Sequence, residues 1–286
     1  MAARLAFHGV PRPLSNRAAV VTRIARAGVV SLGVCLLLGA CGSHPSGSSA
    51  SVTADKKGST TTTTMGLSQP TAAKPITILD VGDSLGEDLG LGLGYTLGTN
   101  ALAHVVQAAY GDSGLARPDF YNWPAHLKAD LNKYHPQVVT ILIGGNDAQN
   151  FEVGSGPVVF GTAQWRTVYT ARVDLMMSET LKAGAKMVWV GLPIMENPVF
   201  GAAMQTLNAI YKAQAALHPG VEYLPTWALF SNSEGQYTAD LTNSSGQTVV
   251  ARDPDGVHIA PPGGCDIVAG AAIKDIEKIW HIHLGL

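Results

Sequence analysis

Long apolar runs, cysteines and charged residues are all scarce in this 286-residue chain. The apolar stretch Ala27 to Ala40 would extend roughly 21 Å as a helix, too short to cross a ~30 Å hydrocarbon core comfortably. It follows Arg17, Arg23 and Arg26. A basic segment ahead of a short apolar one reads as a secretory signal rather than a membrane span. Of three cysteines, Cys35 lies inside that segment and Cys41 directly follows it, so only Cys265 is left beyond it. One cysteine closes no internal disulfide, and no cysteine–histidine cluster has metal-site spacing. Cys265 is expected as a small buried residue at the start of the last helix. No cofactor or metal is expected.

Charged residues make up 14% of the chain and are unevenly spread. Residues 1–75 hold eight of the 19 Lys and Arg but one of the 21 Asp and Glu, leaving 76–286 at about −9. A surface of that sign repels phosphate backbones and anionic headgroups, so nucleic acid is not an expected partner. With 46% hydrophobic residues there is material for a good-sized core without a disulfide or metal staple. Neither an internal repeat nor a second domain boundary is evident within 76–286.

The apolar run ends in Leu38-Gly39-Ala40-Cys41. A large aliphatic residue, two small ones and a cysteine resemble a bacterial lipobox, which implies cleavage before Cys41 and lipid on Cys41. Residues 1–40 are then a lipoprotein signal peptide. Residues 41–75 are rich in Ser, Thr, Gly and Pro and cannot bury enough apolar surface to offset their ordering entropy. They read as a disordered tether, and the expected location is extracytoplasmic, anchored to the membrane by lipid.

From Ile76 onward, strands and helices alternate. Strands are expected at 76–81, 104–110, 137–143, 186–192 and 221–224. Helices are expected at 85–99, 118–134 (capped by Asp119 or Asn122), 165–183, 198–217 and 261–280. Residues 148–163 read as loop, and 228–250 as an irregular insertion with a hairpin near Asn243 to Gly246. Strict alternation argues for a parallel sheet covered on both faces, with ligands at the carboxyl ends of the strands. The glycine-rich turns 82–86, 111–114 and 144–147 each follow a strand and would share that edge.

The first of these turns, Gly82-Asp83-Ser84-Leu85-Gly86, places a serine at the tip of a strand-to-helix turn. A serine hydroxyl is a poor nucleophile near neutral pH and needs a base. Arg252-Asp253-Pro254-Asp255-Gly256-Val257-His258 offers one. An acid three residues before a histidine can fold back onto one ring nitrogen and leave the other to take a serine proton. Asp253 is a second candidate acid. Ser84 could instead simply cap the following helix.

Gly82-Asp83-Ser84-Leu85, Gly114, Gly144-Gly145-Asn146-Asp147 and Asp255-Gly256-Val257-His258 resemble, in order, the four sequence blocks of the SGNH/GDSL hydrolase superfamily. The resemblance spans essentially all of 76–286. Residues 113–123 also resemble a bacterial extracytoplasmic subgroup, some of whose members act on acylated glycans. The resemblance implies a three-layer α/β/α sandwich around a parallel, roughly five-stranded, flavodoxin-like sheet. It implies Ser84 as nucleophile, His258 as base and Asp255 as its partner. The implied oxyanion donors are the N–H of Ser84, the N–H of Gly114 (with Gly111 as the alternative) and the Asn146 side chain, each worth about 3–4 kcal/mol in the transition state. Asp83 and Asp147 are expected to support the loops. Phe120, Tyr121 and Trp123 are expected to pack near the site, with a sugar-stacking platform as the alternative. The remaining histidines of the domain, His218 among them, are read as structural or solvated.

These features imply a monomeric serine esterase acting on a short acyl ester, such as acetyl, of a carbohydrate or small molecule. An acyltransferase with the same residues, a lipase or thioesterase, and a non-catalytic glycan-binding protein are the alternatives.

Overall fold

Five short runs of mostly apolar residues form a single parallel sheet. The computed structural model describes residues 67–286. The expected signal peptide, Cys41 with its expected lipid, and most of the expected tether lie outside the described residues. The sheet strands are β1 (Ile76–Gly82), β2 (Ala103–Gln107), β3 (Val138–Leu142), β6 (Lys186–Val190) and β7 (Val221–Leu224), in the order β2-β1-β3-β6-β7. Every pairing is parallel. All five residues of β3 are buried, as befits the central strand of a sheet covered on both faces. The fold class expected from the alternating pattern is the one observed.

Two small antiparallel pairs stand outside the sheet: β4 (Phe151–Val153) with β5 (Gly156–Val158), and β8 (Asp240–Thr242) with β9 (Thr248–Val250). The second is the hairpin expected near Asn243. The first lies where only loop was expected, because three-residue strands show no usable periodicity.

The helices are α1 (Ser84–Leu97), α2 (Trp123–Tyr134), α3 (Ala163–Lys182), α4 (Pro198–Ala215) and α5 (Gly263–Trp280). The first packs against the last, while α3 packs between α2 and α4. Close approach of α1 to α5 requires Gly92, where a Cβ would lie 2.1 Å from the Cys265 carbonyl oxygen. Cys265 is fully buried at the start of α5, as expected. Helix α2 begins at Trp123 rather than 118; its cap is Asn122, whose Oδ1 accepts Ala125 N–H at 3.3 Å. Asp119 is instead paired with Arg117 at 2.8 Å.

Residues 67–74, at the end of the expected tether, make contacts with the folded unit. Thr71 and Lys74 exchange backbone hydrogen bonds of 3.1 and 2.9 Å, and Leu67 packs against the core. The Gln69 amide donates to His281 O and accepts His283 N–H at 3.1 Å. One apolar side chain and one bifunctional amide tie this polar segment to the C-terminal residues and the core. Among the described residues, no helix is long and apolar enough to cross a membrane.

Candidate active site

The chain leaves β1, turns at Asp83 and starts α1 at Ser84. Asp83 is the N-cap, its Oδ1 accepting Leu85 N–H at 3.0 Å. The capping role that Ser84 could have played thus belongs to its neighbour. Ser84 sits at the first helical position, where backbone N–H groups have no intrahelical partner and the helix dipole favours negative charge. Register pairs Gly82 of β1 with Leu142 of β3. The loops after these two strands therefore open side by side. This is also where connections diverge to opposite edges of the sheet, the place at which open α/β sheets bind ligands.

The loop before α5 supplies the other half. His258 Nε2 lies 2.9 Å from Ser84 Oγ, and His258 Nδ1 lies 2.6 Å from Asp255 Oδ2. Asp255 Oδ1 accepts the N–H groups of Val257 and His258 at 2.9 and 3.0 Å. Partial burial pushes the Asp255 carboxyl up, but the hydrogen bonds from His258 and Val257 outweigh it and hold the group below its ordinary value. An ionised Asp255 with both oxygens engaged fixes the imidazole orientation, and Nε2 faces the hydroxyl. Asp253 is not the acid on the ring; its N–H donates to His258 O at 3.0 Å.

The loop after β2 brings up Gly114, and the loop after β3 brings up Asn146. Asn146 Nδ2 donates to Ser113 O at 2.9 Å, which sets the amide against the Gly114 peptide. Nδ2 carries a second proton besides the one given to Ser113 O. Gly111 N–H is already held by Glu87 Oε1 at 2.9 Å. Of the two glycines, Gly114 is thus the one with no recorded acceptor among the described residues. A side chain at Gly114 is excluded, since its Cβ would lie 2.2 Å from Asp147 Oδ1.

Two buried acids brace these loops. Asp83 Oδ2 accepts the N–H groups of Gly144 and Gly145 at 2.8 and 2.7 Å. Asp147 accepts Leu115 N–H at 3.0 Å, Ala116 N–H at 2.8 Å and the Tyr169 hydroxyl at 2.6 Å. Tyr211 lies 2.7 Å behind that hydroxyl. Burial, with the Asp147 charge adding to it, pushes Asp83 up to about 7 against the opposing N–H bonds. Burial also raises Asp147. Support of the loops by these two acids is what the sequence led one to expect.

Three supporting side chains carry no sequence signal of their own. Glu87 holds Gly111. Asp88, buried, accepts Ile259 N–H at 2.9 Å through Oδ2. Arg252, 1% exposed, reaches several carbonyls of the histidine loop. Glu87 and Asp88 act on residues distant in the chain, and Arg252 on its own loop and on Ile194.

The aromatic residues divide. Trp123 is buried and donates Nε1–H to Ser113 Oγ at 2.9 Å, packing beneath the site as expected. Tyr121 stacks on Tyr110 and His126, with centroids 4.4 and 3.9 Å apart. Phe120 is 51% exposed and remains the one ring of the three open to solvent. A second Ser–His–Asp grouping lies at His218, but Asp174 and Ser178 both approach the same Nε2, at 3.0 and 3.4 Å, while Nδ1 meets Gln214 O. No ring nitrogen is left there to activate the serine, so His218 is structural. Among the described residues, no group of His, Cys, Asp and Glu is arranged to hold a metal ion.

The fold so assembled is one shared with solved esterases and acylhydrolases. The chain superposes on a catalytic mutant of Axe2, an acetylxylan esterase from Geobacillus stearothermophilus, with a TM-score of 0.51 at 16% identity, covering 72% of this chain and 95% of that one. A provisionally assigned acylhydrolase from Bacteroides fragilis gives 0.52 at 16% identity, covering 75% and 92%. A GDSL-like lipase from Bacteroides thetaiotaomicron gives 0.50 at 17%, covering 74% and 93%. At such identities the likeness establishes the architecture alone. By sequence, residues 77–275 match the model of the family described as "Protein of unknown function (DUF459)", and the chain belongs to that family. No curated protein matches it in sequence.

Proposed function

We propose that the protein is a serine esterase that hydrolyses a short acyl ester through an acyl-Ser84 intermediate. The observation that carries this reading is the unbroken contact from Asp255 to His258 to Ser84, at 2.6 and 2.9 Å. His258 Nε2 takes the hydroxyl proton as Ser84 Oγ bonds to the ester carbonyl carbon. The oxyanion is met by the N–H groups of Ser84 and Gly114 and the free proton of Asn146 Nδ2. The C–O bond to the alcohol then breaks, and His258 returns the proton to the departing oxygen. Water, deprotonated in turn by His258, attacks the acyl-enzyme and releases the carboxylic acid and Ser84. Asp255 keeps one imidazole tautomer and stabilises the transient imidazolium.

The alcohol portion is read as hydroxyl-bearing, such as a glycan. A cavity of about 410 Å³ lies between residues 116–119, which follow Gly114, and residues 149–152, which follow Asn146. Its charged and amide side chains offer hydrogen-bond partners for hydroxyl groups, beside the apolar Ala116, Pro118 and Phe151. A fold relative that acts as an acetylxylan esterase is consistent with this choice. The Arg17-to-Cys41 segment supports residence outside the cytoplasm on a lipid anchor, at an envelope surface where acylated glycans occur.

The test is turnover of p-nitrophenyl acetate by the purified protein beside Ser84→Ala, with a fluorophosphonate probe on both. Release of nitrophenol and labelling by the wild type alone support the proposal. Equal rates for the two proteins refute it.

A further inference from the structure

Arg252 is the least expected side chain in the folded unit. It is 1% exposed, and none of its recorded hydrogen bonds goes to a carboxylate. Removing a guanidinium from water is costly unless its donors are satisfied. Here they are satisfied almost entirely by backbone. Nη2 donates to Val257 O at 2.7 Å, with Gly256 O and Met195 Sδ each at 3.4 Å. Nε donates to His258 O at 3.3 Å, and Nη1 donates to Ile194 O. Three successive carbonyls, of residues 256, 257 and 258, therefore turn inward onto one cation. The rings of Phe230 and Tyr237 stand 5.6 and 5.3 Å from Cζ and close the remaining sides.

Three consecutive carbonyls turned toward one point bring their negative ends together, and a local cation with several donors offsets that repulsion. Only a planar fork with five N–H groups meets that demand; a lysine ammonium has three donors at a single point. The same fork ties this loop to Ile194 and Met195, which follow β6. Glu196 N–H adds a bond to Gly256 O at 3.1 Å. The histidine loop is thus fixed to the sheet edge from one side by Arg252, and to α1 from the other by Asp88.

The geometry points to Arg252 as the positioning residue of the proposed base: by gathering the 256–258 carbonyls, it sets the backbone from which Asp255 and His258 reach Ser84. This inference rests on the esterase reading for its kinetic consequence but not for its structural one. Arg252 touches no substrate, so its loss acts on the chemical step and leaves substrate binding alone.

The experiment compares wild type, Arg252→Lys, Arg252→Met and Tyr237→Leu. The last variant loosens the guanidinium from a partly exposed side and keeps the fold accessible should the core reject the first two. Two readouts are taken on variants that retain the wild-type amide fingerprint. The first is kcat and KM on p-nitrophenyl acetate; kcat is expected to fall about 10²-fold for Lys and further for Met, as misplacement of a reacting group does. Tyr237→Leu should lose several-fold, with KM within about twofold throughout. The second is the downfield proton resonance of His258 Nδ1–H, assigned by its absence in His258→Gln. It should move or broaden in the variants, because the 2.6 Å bond to Asp255 depends on loop geometry. Folded Lys, Met and Leu variants with unchanged kcat and unchanged resonance overturn the inference. If the wild type hydrolyses no ester, the esterase reading fails, while the resonance still decides the positioning role.

Discussion

Asp88 lies one helical turn beyond Ser84 on α1, and its Oδ2 accepts the N–H of Ile259, the residue directly after His258, at 2.9 Å. One helix therefore presents the hydroxyl and, four residues on, anchors the loop that brings the imidazole to it. The spacing puts both side chains on one helix face.

Asp88→Ala should leave a buried N–H unsatisfied, destabilising the protein by about 1–3 kcal/mol. It should also lower kcat more than it changes KM. Asp88→Asn keeps an acceptor and should retain most of both. Urea denaturation beside steady-state kinetics on p-nitrophenyl acetate checks the pair; equal behaviour of Ala and Asn would remove Asp88 from the positioning scheme.

Asn146→Ala takes away the side-chain donor proposed for the oxyanion. It should reduce kcat about 10²–10³-fold with KM nearly unchanged. A proportionate rise in KM instead would assign Asn146 to ground-state binding.

Gly111 and Gly114 can be told apart by adding one methyl group to each. At Gly114 the new Cβ would lie 2.2 Å from Asp147 Oδ1 and disrupt the acceptor of Leu115 and Ala116 N–H. Gly114→Ala should lose nearly all activity. At Gly111 the nearest atoms are the Glu87 carboxylate at 3.2–3.5 Å, the end of a flexible side chain. Gly111→Ala should keep its activity within a few-fold. The reverse ranking would move the oxyanion donor to Gly111.

Asp83 gives a pH dependence to stability. Its carboxyl is raised from 3.8 to about 7, chiefly by burial. The folded protein thus holds this proton more tightly than the unfolded chain does. The stabilising contribution is complete below 3.8 and disappears as pH rises through about 7. In Asp83→Asn the proton is gone at every pH, and the Gly144 and Gly145 N–H groups lose a carboxylate acceptor. Wild-type stability relative to this variant should decline between pH 5 and 7, by at most about 1.4 kcal/mol per unit. Denaturation curves at several pH values measure the slope; a flat difference would mean that Asp83 does not titrate there.

What the sequence revealed was whatever is written locally. β3 was readable because Val138 to Leu142 is one short apolar run interrupted only by Thr140. The Asp255–His258 pair was readable because its members are three residues apart in a single loop. Trp123 and Cys265 were readable as core from residue type. Arg252 and Asp88 were not, since an arginine or aspartate in isolation reads as surface; only the tertiary fold reveals that Arg252 turns inward and that Asp88 faces Ile259. Asp119 looked like a helix cap, but Arg117, two residues earlier, captures it and leaves the role to Asn122. The contacts of residues 67–74 were unreadable for a similar reason. Gln69 is an unremarkable polar residue until the backbone of His281 and His283 lies against it.

The contact between Gly92 and Cys265 has a reach beyond its own neighbourhood. Ser84 opens α1, and His258 precedes α5 by a few residues, so the two side chains ride on helices whose spacing is set at that seam. The bare glycine works as a ruler. It lets the two helices close to backbone contact some 12 Å along the axis from Ser84, and that contact joins Arg252 and Asp88 in constraining the loop that carries His258. A lineage that enlarged Gly92 would have to rebuild the loop before α5 to bring His258 back within reach of Ser84.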